Sequence, residues 1–215
     1  MSVVTGRRPS PHPTVLAARP LGRFRTVDLV VAAMIGVAFG VVFWAWGLIY
    51  EAPSAAMGTL FAPLAGLWDS PWLLAGVVAG LLVRRPGAAL IAELVGASVE
   101  ALIGSQWGWT TLIAGGLQGA GVELALALFL WKRFGPGVAM LAGFLSAAFE
   151  VVGYEWHAYY ADWTWTFKLA YLGLFGLSGA LVAGLGGLAV VRALARSGAV
   201  NAMPAGREAL ERSVR

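Results

Sequence analysis

Apolar residues dominate seven stretches of the chain, at 27–50, 54–68, 71–83, 86–104, 110–131, 136–158 and 166–191, with basic residues collected between them. Stretches of this length and composition read as helices in a lipid bilayer. A single crossing needs roughly 20 residues, so the second and third stretches are too short to cross alone.

The basic residues group these pieces. Arg7, Arg8, Arg19, Arg23 and Arg25 precede the first, and Arg84 and Arg85 follow the third. Lys132 and Arg133 follow the fifth, and Arg192, Arg196, Arg207, Arg212 and Arg215 follow the last. The positive-inside rule puts every cluster in the cytoplasm, so the chain crosses an even number of times between clusters. The pattern therefore predicts an all-α, integral membrane six-helix bundle of three hairpins, 27–83, 86–131 and 136–191, with both termini cytoplasmic. In the first hairpin the two short pieces share one return crossing, an interrupted second helix broken at Trp68-Asp69-Ser70-Pro71. Residues 54–68 then form a shallow or re-entrant helix near the outer face. Seven crossings would put one arginine group on the wrong side. Three regions follow: a basic N-terminal arm (1–25), a transmembrane substrate-binding domain (26–193) and a cytoplasmic tail (194–215) with a short amphipathic turn near 205–212.

Composition agrees. The chain has 215 residues, 59% of them hydrophobic and 12% charged, with a mean hydropathy of +0.76. Soluble domains carry about a quarter charged residues, so this is a multi-pass protein of the cell membrane. With no Cys, disulfides, thiolate metal sites and Cys nucleophiles are excluded. The formal charge of +4 is spread over separate clusters rather than one patch, so no nucleic-acid partner is expected.

Orientation concentrates chemistry at the outer end. Nine of the ten Trp residues fall in the outer third or outer loops, with only Trp131 at the inner interface. An aromatic belt would decorate both interfaces; a one-sided set points to an aromatic-lined outer pocket. At 1.5 Å per residue, Glu100 and Glu150 stand roughly 20 Å above the cytoplasmic starts of their helices, and Glu93 about 10 Å. Asp69 lies at the break in helix two, and Gln118 enters two turns down its helix. A carboxylate at mid-bilayer costs about 2.5–3.5 kcal/mol, so such residues usually face the bundle interior and serve a function. For Glu93 and Glu123, far from the aromatic residues, structural pairing with a neighbouring helix is an equal reading. The substrate-binding candidates are Glu100, Glu150, Gln118, Trp107, Trp109, Tyr154, Trp156, His157, Trp68 and Asp69. Aromatic walls with a few carboxyl groups suit a small planar ligand carrying amine donors or positive charge. Residues 54–70 would form a lid. No metal site and no cofactor are expected. GxxxxGK[ST], HExxH, GxSxG and SxxK are all absent, so the chain has no ATPase or hydrolase parts of its own.

Family resemblance enters at specific residues. The order Trp46-Gly47…Tyr50-Glu51…Pro53, Trp68…Pro71…Leu74-Ala75-Gly76, Arg84-Arg85-Pro86-Gly87-Ala88-Ala89 with Glu93, Gly104-Ser105-Gln106-Trp107-Gly108 and Gly116-Leu117-Gln118-Gly119…Glu123 resembles the YkoE-type substrate-binding (S) components of energy-coupling factor (ECF) transporters. The likeness spans roughly residues 26–192. It implies six helices, capture of thiamine or its hydroxymethylpyrimidine precursor, and assembly with a transmembrane coupling subunit and two ATPases. It also implies that the small-residue stripe of helix one (Ala32, Gly36, Gly40) meets the coupling subunit. Two alternatives come from other classes: an integral-membrane enzyme acting on lipid or isoprenoid with Glu93, Glu123 and His157 as proton carriers, and a stand-alone proton-coupled transporter.

Overall fold

The computed structural model describes residues 23–213 and is helical throughout, with no strand among the described residues. Most of the expected N-terminal arm, residues 1–22, lies outside the described residues. In chain order the helices are α1 (Thr26–Leu60), α2 (Ser70–Val83), α3 (Ala88–Ile103), α4 (Thr111–Leu128), α5 (Pro136–Ala158), α6 (Trp165–Arg196) and α7 (Pro204–Ser213). Four of these segments, the helices α1, α5 and α6 and the stretch Gly108–Leu128 that contains α4, are long and apolar enough to cross a membrane. The all-helical reading of the apolar pattern holds.

The short helix sits where burial is greatest. Every residue from Ala75 to Val83 in α2 is buried, because α1, α3, α4, α5, α6 and α7 all pack around it. Its Val77, Val78, Leu81 and Leu82 form the core with Val122 and Leu126 of α4 and Tyr171 and Phe175 of α6. Helix α1 is the opposite case. Of its residues only Asp28, Ala32, Gly36, Gly40 and Phe43 are buried, one stripe at close to helical spacing. Met34, Val37, Val41, Leu48 and Ile49 face outward, an apolar surface suited to lipid and too large for water.

That stripe corrects one expectation. Ala32, Gly36 and Gly40 do not present a surface to a partner subunit; they are the face on which α1 meets α3. A Cβ on Gly36 would stand 2.6 Å from the Ala92 carbonyl oxygen, and one on Gly40 would stand 2.6 Å from that of Gly96. Small residues let backbones approach closely in lipid, and here the approach is within the chain.

A second correction concerns residues 54–68. No separate re-entrant helix forms, because α1 runs unbroken through Pro53 to Leu60. At 35 residues it is about 52 Å long, well beyond a hydrocarbon core of roughly 30 Å. Proline removes one ladder bond, and the turns on either side of Pro53 carry the helix past it. The break comes at Trp68 and Asp69, between two 3-10 turns, Ala62–Leu67 and Ser70–Leu73, the second of which opens α2. This segment is anchored rather than loose: Ser178 Oγ on α6 bonds the Leu67 carbonyl at 2.7 Å and Ser70 Oγ at 2.8 Å. Of the segment expected as a lid, residues 54–60 belong to α1, and Leu67 and Ser70 are tied to α6.

The two mid-depth acids on α3 and α4 that lie away from the aromatic residues cap backbone. Glu93 accepts the Gly76 N–H at 2.6 Å, just past the 3-10 start of α2. Glu123 accepts the Ala89 N–H at 2.8 Å, at the first turn of α3. Both satisfy donors that a helix start leaves unpaired.

Candidate functional site

At the end of the bundle opposite Arg84, Lys132 and Arg192, the helices enclose a cavity of about 250 Å³. The six helices α1 to α6 all contribute. Tyr50 and Phe43 come from α1, Asp69 and Trp72 from the start of α2, and Glu100 from the last turn of α3. Thr111 and Gln118 come from α4, Glu150, Tyr154 and Glu155 from α5, and Phe175 from α6, with Trp107, Tyr159 and Tyr160 on the connecting loops. Four carboxyl groups line this space and no Lys, Arg or His does.

Gln118, Glu150, Glu100 and Asp69 are each held in place. Gln118 Nε2 donates to Glu150 Oε2 at 2.8 Å, and Ser146 Oγ donates to the Gln118 carbonyl at 3.0 Å. Glu100 Oε1 accepts from Ser105 Oγ at 3.1 Å and from Trp72 Nε1 at 3.3 Å. Tyr171 OH donates to Asp69 Oδ2 at 2.6 Å. Glu155 is buried with its Oε2 unpartnered, so it has an acceptor to spare for a ligand.

The aromatic walls are mutually braced. Tyr50, Trp72 and Trp107 pack edge to face in a triangle with ring centroids 5.1, 5.5 and 5.2 Å apart. Such pairs contribute about 0.5–1.5 kcal/mol beyond burial. Tyr154 and Tyr159 make a similar pair at 5.5 Å, and Tyr160 stacks on Trp163 at 4.1 Å. Burial pushes the loop phenols of Tyr159 and Tyr160 up from their ordinary range, so both stay protonated donors at physiological pH. Glu100 and Trp107 also line a second, outer cavity of about 400 Å³ beside Trp44 and Glu51, and thus stand between it and the inner one.

Of the ten candidates named from sequence, the structure brings together Glu100, Glu150, Gln118, Trp107, Tyr154 and Asp69. The other four stand elsewhere. Trp109 is 62% exposed, and His157 is exposed on the last turn of α5. Trp156 packs on Trp165 at 5.7 Å. Trp68 lies against Trp46 at 4.6 Å, its carbonyl accepting the Trp46 indole N–H at 3.2 Å. Sequence reasoning passed over Tyr50, Trp72, Glu155, Tyr159 and Tyr160. Glu155 was hidden by helix register. At five residues from Glu150 it belongs to a different face of a regular helix, but Val151–Glu155 is π-helical. The i to i+5 repeat brings Glu155 round over Glu150.

Comparison with known proteins finds relatives in sequence and in structure. Residues 27–149 match the family described as "ABC-type cobalt transport system, permease component". The chain is 32% identical over 190 residues to the putative HMP/thiamine permease protein YkoE of Bacillus subtilis (strain 168), covering 86% of this chain and 92% of that one. A crystal structure of an S-component of an ECF transporter superposes with a TM-score of 0.80 at 31% identity, over 90% of this chain and 96% of that one.

The chain belongs to the YkoE-type S components of ECF transporters.

This S component is a multi-pass protein of the plasma membrane and a transport subunit, not an enzyme. The proton carriers that a lipid enzyme would need are not assembled: Glu93 and Glu123 cap backbone, and His157 is exposed at the other end of the bundle from Glu123.

Proposed function

We propose that this S component captures thiamine or its hydroxymethylpyrimidine precursor in the aromatic and carboxyl cavity, for uptake driven by partner ATPases through a coupling subunit. The observation that carries the reading is the lining itself: Asp69, Glu100, Glu150 and Glu155 face one small aromatic-walled space with no basic residue. Such a cavity favours a cation or an amine-rich ring over any anion. An aminopyrimidine presents N–H donors to carboxyl oxygens, and a thiazolium adds a permanent charge that aromatic faces attract by up to about 2 kcal/mol when desolvated. Glu100 and Glu150 would take the amine or cationic groups, Gln118 would orient the ring edge, and Trp107 and Tyr154 would stack. Asp69 would complete the wall. Trp68, Trp109, Trp156 and His157 have no part in it.

The name of the matching family mentions cobalt. Among the described residues no three His, Cys, Asp or Glu side chains gather as a metal-ligand set, so an organic cation is the better-supported cargo. The proposed topology has six crossings, with α2 and the turns before it sharing one, and with both termini in the cytoplasm. Regions 1–25, 26–193 and 194–215 are then arm, binding domain and tail.

Calorimetry on the purified protein tests the site. Replacing Glu100 and Glu150 together by Gln is expected to weaken thiamine binding at least tenfold, about 1.4 kcal/mol. The loss should be smaller for hydroxymethylpyrimidine, which lacks the permanent charge. Unchanged thiamine affinity would reject the site.

A further inference from the structure

We infer that the basic end of the bundle holds a built site for the headgroup of an anionic phospholipid. A cavity of about 1140 Å³ opens between the ends of α2, α4 and α6, the start of α5, and the tail helix α7. Six cations line it, Arg84, Lys132, Arg133, Arg192, Arg196 and Arg212, against the single acid Glu208. That acid is already engaged. Arg84 Nη2 donates to its Oε2 at 2.6 Å, and Arg212 donates to its other oxygen. Lys132, Arg133, Arg192 and Arg196 are exposed and form no ion pair among the described residues. A protein surface ordinarily intersperses such charges with acids; four unanswered cations around one opening create a local field that draws a phosphate.

The rest of the lining selects among phosphates. Beneath the cations the wall is Leu81, Phe129, Phe134, Val138, Leu188 and Val191. A soluble anion has no use for an apolar floor, whereas a phospholipid brings an acyl chain with its phosphate. The cavity also lies where the spanning helices end, at the depth of the headgroups, and basic pockets between helices at that depth bind acidic lipid headgroups. The tail helix closes one side and is pinned there: Arg84 bridges to Glu208 on α7 and lies over the Phe134 ring at 4.3 Å, while Met203 and Ala205 at the start of α7 are buried in the core. The site is thus part of the folded bundle. It is independent of the vitamin pocket at the opposite end and does not rest on what that pocket binds.

Native mass spectrometry of the full chain, titrated with phosphatidylglycerol, phosphatidylcholine or inorganic phosphate, decides the matter. Phosphatidylglycerol is expected to bind at least tenfold more tightly than phosphatidylcholine. The quadruple substitution K132Q/R133Q/R192Q/R196Q should remove that preference, and R192K/R196K should keep it. These side chains are exposed, so folding is preserved, and an unchanged melting temperature in detergent verifies that. Equal affinity for the two lipids, or an undiminished preference in the quadruple variant, would overturn the proposal. Inorganic phosphate binding as tightly as phosphatidylglycerol would overturn it too, by assigning the cations to a soluble anion.

Discussion

At the scale of single residues, Tyr171 shows how the cavity is held from behind. Its hydroxyl bonds Asp69 at 2.6 Å, its ring packs against Tyr160 at 4.8 Å, and it is fully buried. One side chain of α6 therefore sets both a carboxyl and an aromatic wall. Tyr171→Phe keeps the ring and removes this donor from a buried carboxyl, which costs about 1–3 kcal/mol. The melting temperature in detergent should fall accordingly, and thiamine binding should weaken; an unchanged melting temperature would show that the bond does not stabilise the fold. Glu93 teaches the converse. Its depth, far from the aromatic residues, left structural pairing an equal reading, and only the neighbouring helix could reveal that its oxygen accepts the Gly76 amide.

At the scale of elements, the helices carry their functions in departures from regularity. The π-helical turn Val151–Glu155 turns Glu155 into the cavity beside Glu150, and the 3-10 turns around Trp68–Asp69 point Asp69 and Trp72 inward. The π-helical turn leaves no clear trace in hydrophobic pattern, because it depends on backbone bonds that neighbours compensate. The apolar stretches themselves were legible, and so was the break at Trp68–Pro71. The use of the glycine stripe was not, because small residues at four-residue spacing serve an internal neighbour as well as an external one. Gly40→Val tests the internal use. Its new side chain would press on the Gly96 carbonyl and Val99, and overpacking of this kind costs about 1–3 kcal/mol. Gly40→Val should lower the melting temperature by several degrees, while Met34→Ala on the outward face should leave it nearly unchanged. Equal effects would contradict the α1–α3 contact.

On the scale of the whole molecule, charge and aromaticity are separated end to end: acids and rings enclose one cavity, cations rim the other. The proposed orientation puts the acidic cavity outside. A chain without Cys gives a clean test by single-cysteine labelling. Gln106→Cys, on the loop beside the outer cavity, should react with a membrane-impermeant maleimide in intact cells, and Arg133→Cys should react only after permeabilisation. The reverse result would invert the topology and remove the vitamin pocket from the cell exterior. By itself the sequence determined the solvent of the helices, the end at which the aromatic residues gather and the family, because hydropathy, charge placement and motif order are one-dimensional properties. Tertiary structure alone decided which acids face the cavity and which cap a backbone, that α1 keeps its small residues for α3, and that Lys132, Arg133, Arg192 and Arg196 share one cavity. Those outcomes depend on what stands across the gap from each side chain, and a neighbour across a helix interface is set by packing rather than by distance along the chain.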